Sequence, residues 1–545
     1  MSKNRLLSLC FSALFFLGCQ GGGGEESSSI DTPSTPSSPT QNESKYTYTY
    51  DGMPLYARHM NVNHYKLEPL TDSEFNALDD TAKIKVADKL LSTLYFGMPY
   101  EQLRTLIDSG TFISSIQTMI HSNKNDMAAV EARLQDSGQE DEQEFYFSSW
   151  PDGSEEISRI LARFYVMEHL DQNYIDHWSA YVLTSTIMFS PAYELASSHA
   201  ENIERVYSAL VRNQRDEYSV QYSTFSHMIS DDNWRRFRSP EDNGREMMEI
   251  YLLDFDDAHV PIAGKALQNW KLDRDNDTLV VSLNENTTPL QLFGTSIQNG
   301  YDFYRALTMS KAFLPGITQR LVALYFPKFN ANAQAQIVSK IVASNPKTWQ
   351  DILLQIALSK SYLLDSEKLK SAEELFFSLS KKIYFQHRRR FFSQFATALS
   401  NMNQAPMKYK LGKYSEVPLD TQSFLTYHKA MRESILIRYH NTWSSGWLAE
   451  KLIPDTIFEG ISAYEHEAML ERLMEHLFLS TLSRYPSEEE KAFFKGHMLK
   501  EGEYVYAFEL FRNGDDPLSG RRNATVSIFD YISRLAELYT MGKVN

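Results

Sequence analysis

Between Ser239 and Leu253 the chain reads Ser-Pro-Glu-Asp-Asn-Gly-Arg-Glu-Met-Met-Glu-Ile-Tyr-Leu-Leu, its densest run of groups suited to acid–base work. At about 100° per residue, Asp242, Arg245, Glu246 and Glu249 fall on one helical stripe, with Met247, Met248 and Tyr251 opposite. The spacing predicts an Arg245–Glu249 pair at i,i+4 and leaves Glu246 to reach a second cation or a divalent metal. The plainer expectation is a structural ion-pair face, because helical spacing alone makes such stripes and buried ion networks need not be catalytic.

Other groups with ligand chemistry are sparse. Glu168-His169-x-Asp171 and Asp176-His177 would converge on one ion only if a turn brought them together, and a His beside Trp178 reads first as a hydrogen-bonded packing residue. Glu465-His466-Glu467 and Glu475-His476 lie in a charged helical run and read as a solvated face. The sequence carries no His-Glu-x-x-His, no Gly-x-Ser-x-Gly and no Gly-rich phosphate loop. No cofactor is predicted, and a divalent metal is the one ligand the residue types would suit. Its site would lie near Glu246, Glu249, His177 and His259.

The elements that must position these residues are mainly helices. Thr71 with Glu74 has the capping-box pattern ahead of a segment carrying Ile84, Val86, Leu90, Leu91 and Leu94, and Ser487 with Glu490 repeats it. Ser239-Pro240 and Asn345-Pro346 each read as an N-cap followed by a first-turn proline. The clearest strand is Thr278 to Leu283, flanked by turn-rich runs, so a strand or hairpin insertion is expected near 278–293; Tyr46, Tyr48 and Tyr50 alternate as in a short edge strand. Lys89 to Glu101 and Leu477 to Glu488 echo each other: an apolar helix end, a break at Pro99 or Pro486, then an acidic restart. The class is predominantly α. A body of about 500 residues exceeds the size at which single cores stop growing, so two or more lobes are expected. The divisions are a main helical domain over 46–385 and a C-terminal helical region over 386–545.

The N-terminus speaks to location. Lys3 and Arg5 precede an apolar run from Leu6 to Leu17, then Gly18 and Cys19, the layout of a bacterial lipoprotein signal over 1–18 with Cys19 as the lipid-bearing residue. Residues 19–45 are rich in Gly, Ser, Thr and Pro and read as a disordered tether spanning on the order of 25–30 Å. Gln20 after the lipid-bearing Cys resembles the pattern sent to the outer membrane of a diderm bacterium. Cys10 and Cys19 are the two cysteines of the 545 residues, so the body beyond them has no disulfide and no thiolate chemistry. A formal net charge of −16 opposes nucleic acid and anionic lipid surfaces, and the one basic cluster, His387 to Arg390, reads as a salt-bridged patch.

Arg245-Glu246-Met-Met-Glu249-Ile-Tyr-Leu-Leu, then Val260 and Ala266-Leu267-Gln-Asn-Trp270, resembles the signature of an uncharacterised family of exported bacterial proteins, domain of unknown function 1800. Asp176-His177-Trp178, Arg320-Leu321, Trp349 to Leu354 and Leu369 to Leu375 extend the resemblance over roughly 75–500. Asp242 stands where the family carries Asn, and His259 where it carries Asp; framework positions persist while the reactive groups are exchanged. The resemblance implies an exported, helical protein, with an exported sulfatase-like protein as a partner. Together these readings point to a lipid-anchored envelope protein with a binding or scaffolding role; the alternative is a metal-dependent or hydrolase-like envelope enzyme.

Overall fold

The computed structural model describes residues 45–135, 154–188, 201–235, 237, 239–276, 278–383, 424–425, 428, 455–462, 465–500, 503–504 and 517–544. Cys19, the signal segment, most of the tether and the His387–Arg390 cluster lie outside the described residues. The fold is predominantly α, with two-stranded antiparallel pairs set between helices. Among the described residues no helix is long and apolar enough to cross a membrane.

Helix starts follow local chemistry, with two departures. Ser239 caps the helix Pro240–Leu252 with Pro240 in its first turn, and Ser487 with Glu490 forms a reciprocal box at Glu488–Met498. Thr71 and Glu74 do form their box, but the helix it opens is only Asp72–Asn76. The helix bearing Ile84 to Leu94 is a separate one, Asp80–Tyr95, started by the Asp79 side chain on the Ala82 N–H. Asn345 starts nothing. It follows the helix Ala331–Ala343 with φ +57°, its N–H on the Val342 carbonyl, and Thr348 is the cap of the next helix, Trp349–Ala357. Asn tolerates the left-handed region that ends helices, and the residue before a proline is pushed out of right-handed helix, so Asn-Pro here marks a stop.

The strand at Thr278 is real but shorter than its apolar run. Thr278–Val281 pairs antiparallel with Trp270–Asp273, in register Trp270 with Val281, and Leu283 beyond it is 99% exposed. A second hairpin, Leu290–Leu292 with Thr295–Ile297, turns through Phe293 and Gly294, both at positive φ. At the N-terminal edge only Thr49–Tyr50 pairs, with Met53–Pro54, around Asp51-Gly52. Both turn residues have positive φ, as a tight two-residue hairpin requires.

The echoing segments have matching geometry. Helices Asp80–Tyr95 and His466–Leu482 end in left-handed residues, Phe96 and Ser483, each at φ 58°. Thr93 and Thr481 each donate to the carbonyl four residues back, and Ser483 Oγ reaches across to Asp88 at 2.6 Å.

Among the described residues the buried side chains form one continuous cluster from Met53 to Tyr539. The last described residues lie within it. Thr540–Met541 pairs antiparallel with Lys368–Leu369, and Leu538, Tyr539 and Met541 are almost fully buried. Leu538→Ala should therefore cost about 2–5 kcal/mol, as for other buried leucines. Urea unfolding of the full chain checks this, and a loss below about 1 kcal/mol would show that the last residues do not complete the core.

Candidate functional site

The acid–base stripe keeps its face but not its pairing. On the helix Pro240–Leu252, Arg245 and Glu249 are exposed and Asp242 and Glu246 half-buried, while Met247, Met248 and Tyr251 are buried. Arg245 turns away from Glu249 and pairs with Asp257, 3.0 Å away in the loop that follows. Glu249 is held by its main chain, whose carbonyl accepts from Arg320 Nη2 at 2.9 Å. The predicted i,i+4 pair loses because the loop after Leu253 presents Asp257 to the same guanidinium. Opposite the stripe, Asn243 is fully buried and accepts from the Tyr304 hydroxyl at 2.7 Å.

His259 opens the helix His259–Ala266, its ring edge-on to Phe293 at 5.1 Å. Trp270 is core: it stacks on Trp234 at 5.6 Å and meets Tyr301 and Tyr304 edge-on. A Cβ on Gly300 would stand 2.5 Å from its indole nitrogen, which is why glycine sits there. His177 lies elsewhere, on the helix Gln172–Ser185, which packs on Glu201–Arg215 and Trp349–Ala357; the Pro240–Leu252 helix packs on His259–Ala266 and Phe313–Tyr325. Nor do Glu168, His169, Asp171, Asp176 and His177 converge: Glu168 and His169 face solvent while the other three point to different partners. In the C-terminal run, Glu467 is on the surface, paired with Lys495, but His476 is buried against Glu101 at 3.0 Å.

What the structure does bring together is a polar junction between two helix N-termini. Asp171 caps Gln172–Ser185 through the Tyr174 N–H and also accepts the N–H groups of Lys124 and Asn125, both at 2.7 Å. Asp351, in the first turn of Trp349–Ala357, accepts from the N–H groups of Met60, Lys347 and Thr348 at 2.8–2.9 Å. Between them, Asp176 Oδ1 accepts from Gln350 at 2.6 Å and Gln172 at 2.8 Å, and Gln172 also donates to Gln350 Oε1. Partial positive charge at both N-termini suits carboxylates here.

Burial dominates the electrostatics. It pushes the Asp176 carboxyl up to about 7, against the two amides that lower it. It holds the His177 imidazole down at about 3, with Arg163 adding to the effect, and His177 Nδ1 shares a 2.5 Å hydrogen bond with the Tyr207 hydroxyl. At the rim, the half-buried His59 has Nδ1 3.0 Å from Thr348 Oγ1 and 3.9 Å from Asp351, and burial lowers its basicity. The exposed His121 is lowered too, by desolvation and then by His59. The junction thus offers neutral imidazoles above carboxylates already engaged by the chain's own donors, an arrangement suited to accepting hydrogen bonds at its rim. Among the described residues no group of three or more His, Cys, Asp and Glu is gathered to hold a metal ion. Sequence reading passed over Thr348-x-x-Asp351, a capping pattern before an apolar run, and had no signal for His59, which comes from nearly 300 residues earlier in the chain.

Two outcomes follow. Arg245→Met should cost less than about 1 kcal/mol in urea unfolding, the range of exposed ion pairs; a loss of several kcal/mol would place Arg245 in a buried network. For His177, the folded chain keeps the ring neutral while the unfolded chain protonates below about 6.5, so its contribution is complete above that pH and is lost as pH falls toward 3. Asp176 acts oppositely between 3.8 and about 7, because the folded carboxyl holds the proton that the unfolded one releases. Comparing wild type with His177→Gln isolates the imidazole: the wild type should lose stability faster on acidification, by up to about 1.4 kcal/mol per pH unit, and parallel profiles would refute the neutral buried ring. Compared with protein-family models, curated proteins and solved structures, the chain matches none of them.

Proposed function

We propose that the protein is a lipid-anchored scaffold or binding body of the bacterial envelope, tethered through Cys19 and built as a divergent relative of the domain of unknown function 1800 proteins. The observation that carries this reading is how the tether ends. Lys45 Nζ pairs with Glu217 at 3.3 Å, the Tyr46 hydroxyl donates to the same carboxylate, and the Arg58 guanidinium lies 4.5 Å from the Tyr46 ring centroid. Lys45 also sits 4.9 Å from the Tyr56 ring centroid, and Tyr56 bridges to Tyr218 next to Glu217. Two cations, a phenol and a carboxylate fix the point at which the chain leaves the body, so a flexible tether would hold the body near its anchor from one defined place, which supports the reading of a tethered scaffold.

The outer membrane is the compartment this reading assigns, and an exported sulfatase-like protein is the partner it assigns. The acidic surface suits a protein partner better than a nucleic acid or an anionic bilayer. Cys19→Ser should shift the protein from the membrane fraction to the soluble one or stall it as a larger precursor. Unchanged partitioning with unchanged electrophoretic mobility would remove the anchor from the proposal. Detergent-extracted wild type should co-purify with an exported protein at constant stoichiometry and without bound metal; stoichiometric metal and no companion would favour the enzyme alternative.

A further inference from the structure

Lysines that lie far apart in the sequence meet under the end of the chain. Lys89 extends from the helix Asp80–Tyr95, Lys368 and Lys370 flank the strand residue Leu369, and Lys382 ends the helix Ala372–Lys382; all four are buried. Two have carboxylates: Lys368 lies 2.6 Å from Glu374, and Lys382 lies 2.5 Å from Asp88. The other two donate to main-chain carbonyls. Lys89 Nζ reaches Ser366 at 2.6 Å and Gly542 at 3.4 Å, above the Tyr362 ring, and Lys370 Nζ reaches Leu538 at 2.9 Å.

Gly542 and Leu538 belong to the last stretch of the chain. Its other ties include the short strand pair with Lys368–Leu369, the Lys370 N–H on the Tyr539 carbonyl, the Val544 N–H on the Leu364 carbonyl, the Thr93 and Tyr362 hydroxyls on Met541 Sδ, and the Tyr539 hydroxyl on the Ser533 carbonyl. A buried ammonium answered only by neutral dipoles is poorly held, because carbonyls do not replace lost hydration as a carboxylate would. Charges of both signs surround them, and burial outweighs either. Lys89 feels Lys368 against Asp365 and Glu367, and Lys370 feels Lys382 and Lys368 against Asp88 and Glu374. The segment's own Glu537 is taken by Arg484 at 2.7 Å. An uncharged amine keeps the donor and avoids the penalty.

We propose that residues 536–544 form a proton-sensitive strap, latched when the uncharged amines of Lys89 and Lys370 donate to Gly542 and Leu538, and that protonation of these amines favours the open strap. Burial, reinforced by the neighbouring lysines, holds both amines down at about 7 while the strap is closed. Lifting the strap uncovers them and restores ordinary lysine basicity, near 10.4. The open form therefore binds more protons between these limits. Closure strengthens as pH rises through that window and is flat below about 7.

Amide hydrogen exchange of the full chain between pH 6 and 10, corrected for intrinsic exchange, tests this directly. The Lys370 and Val544 amides, which bond across the strap, should gain protection by up to about tenfold per pH unit per amine between 7 and 10, with little change between 6 and 7. Amides in the helix Pro240–Leu252 supply the reference. Lys89→Met and Lys370→Met should each reduce the slope without abolishing protection. Strap protection that runs parallel to the reference helix in the wild type would overturn the proposal, and so would a slope that survives both substitutions; the wild-type slope decides alone if a variant fails to fold.

Discussion

Every charge this fold takes out of water has to be answered by donors or acceptors that the chain itself supplies. That constraint ties distant segments together. Asp171 and Asp351 are buried carboxylates that collect N–H groups from distant loops at 124–125 and 60; Asp171 also caps the helix it precedes and Asp351 closes the capping box begun by Thr348, so each is both part of a helix start and a clamp between segments. Hydrogen bonds to an ionised group are stronger than neutral ones, and removing one partner leaves an unpaired buried charge. Where no full answer exists the group gives up its charge instead: Asp176 toward the protonated form, His177 and the two carbonyl-bound lysines toward the neutral one. The hydrophobic core supplies bulk stabilisation, but these polar contacts fix which helix end meets which.

This division explains what the sequence disclosed. Capping signals are local, so Ser239-Pro240, Ser487-Glu490 and Thr71-Glu74 are found where their residue types put them. The length of the first capped helix was not legible, because Asp79 restarts the chain only a few residues later and two caps in succession resemble one long amphipathic run. The stripe of Asp242, Arg245, Glu246 and Glu249 was legible as a face, since its period is a property of any helix. Its pairing was not: Asp257 competes for Arg245 from a loop whose path depends on packing beyond Leu253.

The junction around Asp176 and the lysines beneath the chain end were hidden for a different reason. Gln172 with Gln350, His59 with Thr348 and Lys89 with Gly542 join positions separated by 178, 289 and 453 residues. No single stretch carries more than one member of these pairs. A lysine in a helical run reads as a surface residue, because lysine is almost never fully buried unless paired.

The pairing of Thr540–Met541 with Lys368–Leu369 also dictates an order of events in time. Leu538 and Tyr539 bury against a strand and a lysine from about 170 residues earlier, so this part of the core closes only once both distant segments are in place. Long-range closure of this kind is slow. Until that pairing forms, the strand edge at Lys368–Leu369 stands open and Leu538, Tyr539 and Met541 lack their cover, so the interval before closure is when this part of the chain is open to wrong pairing.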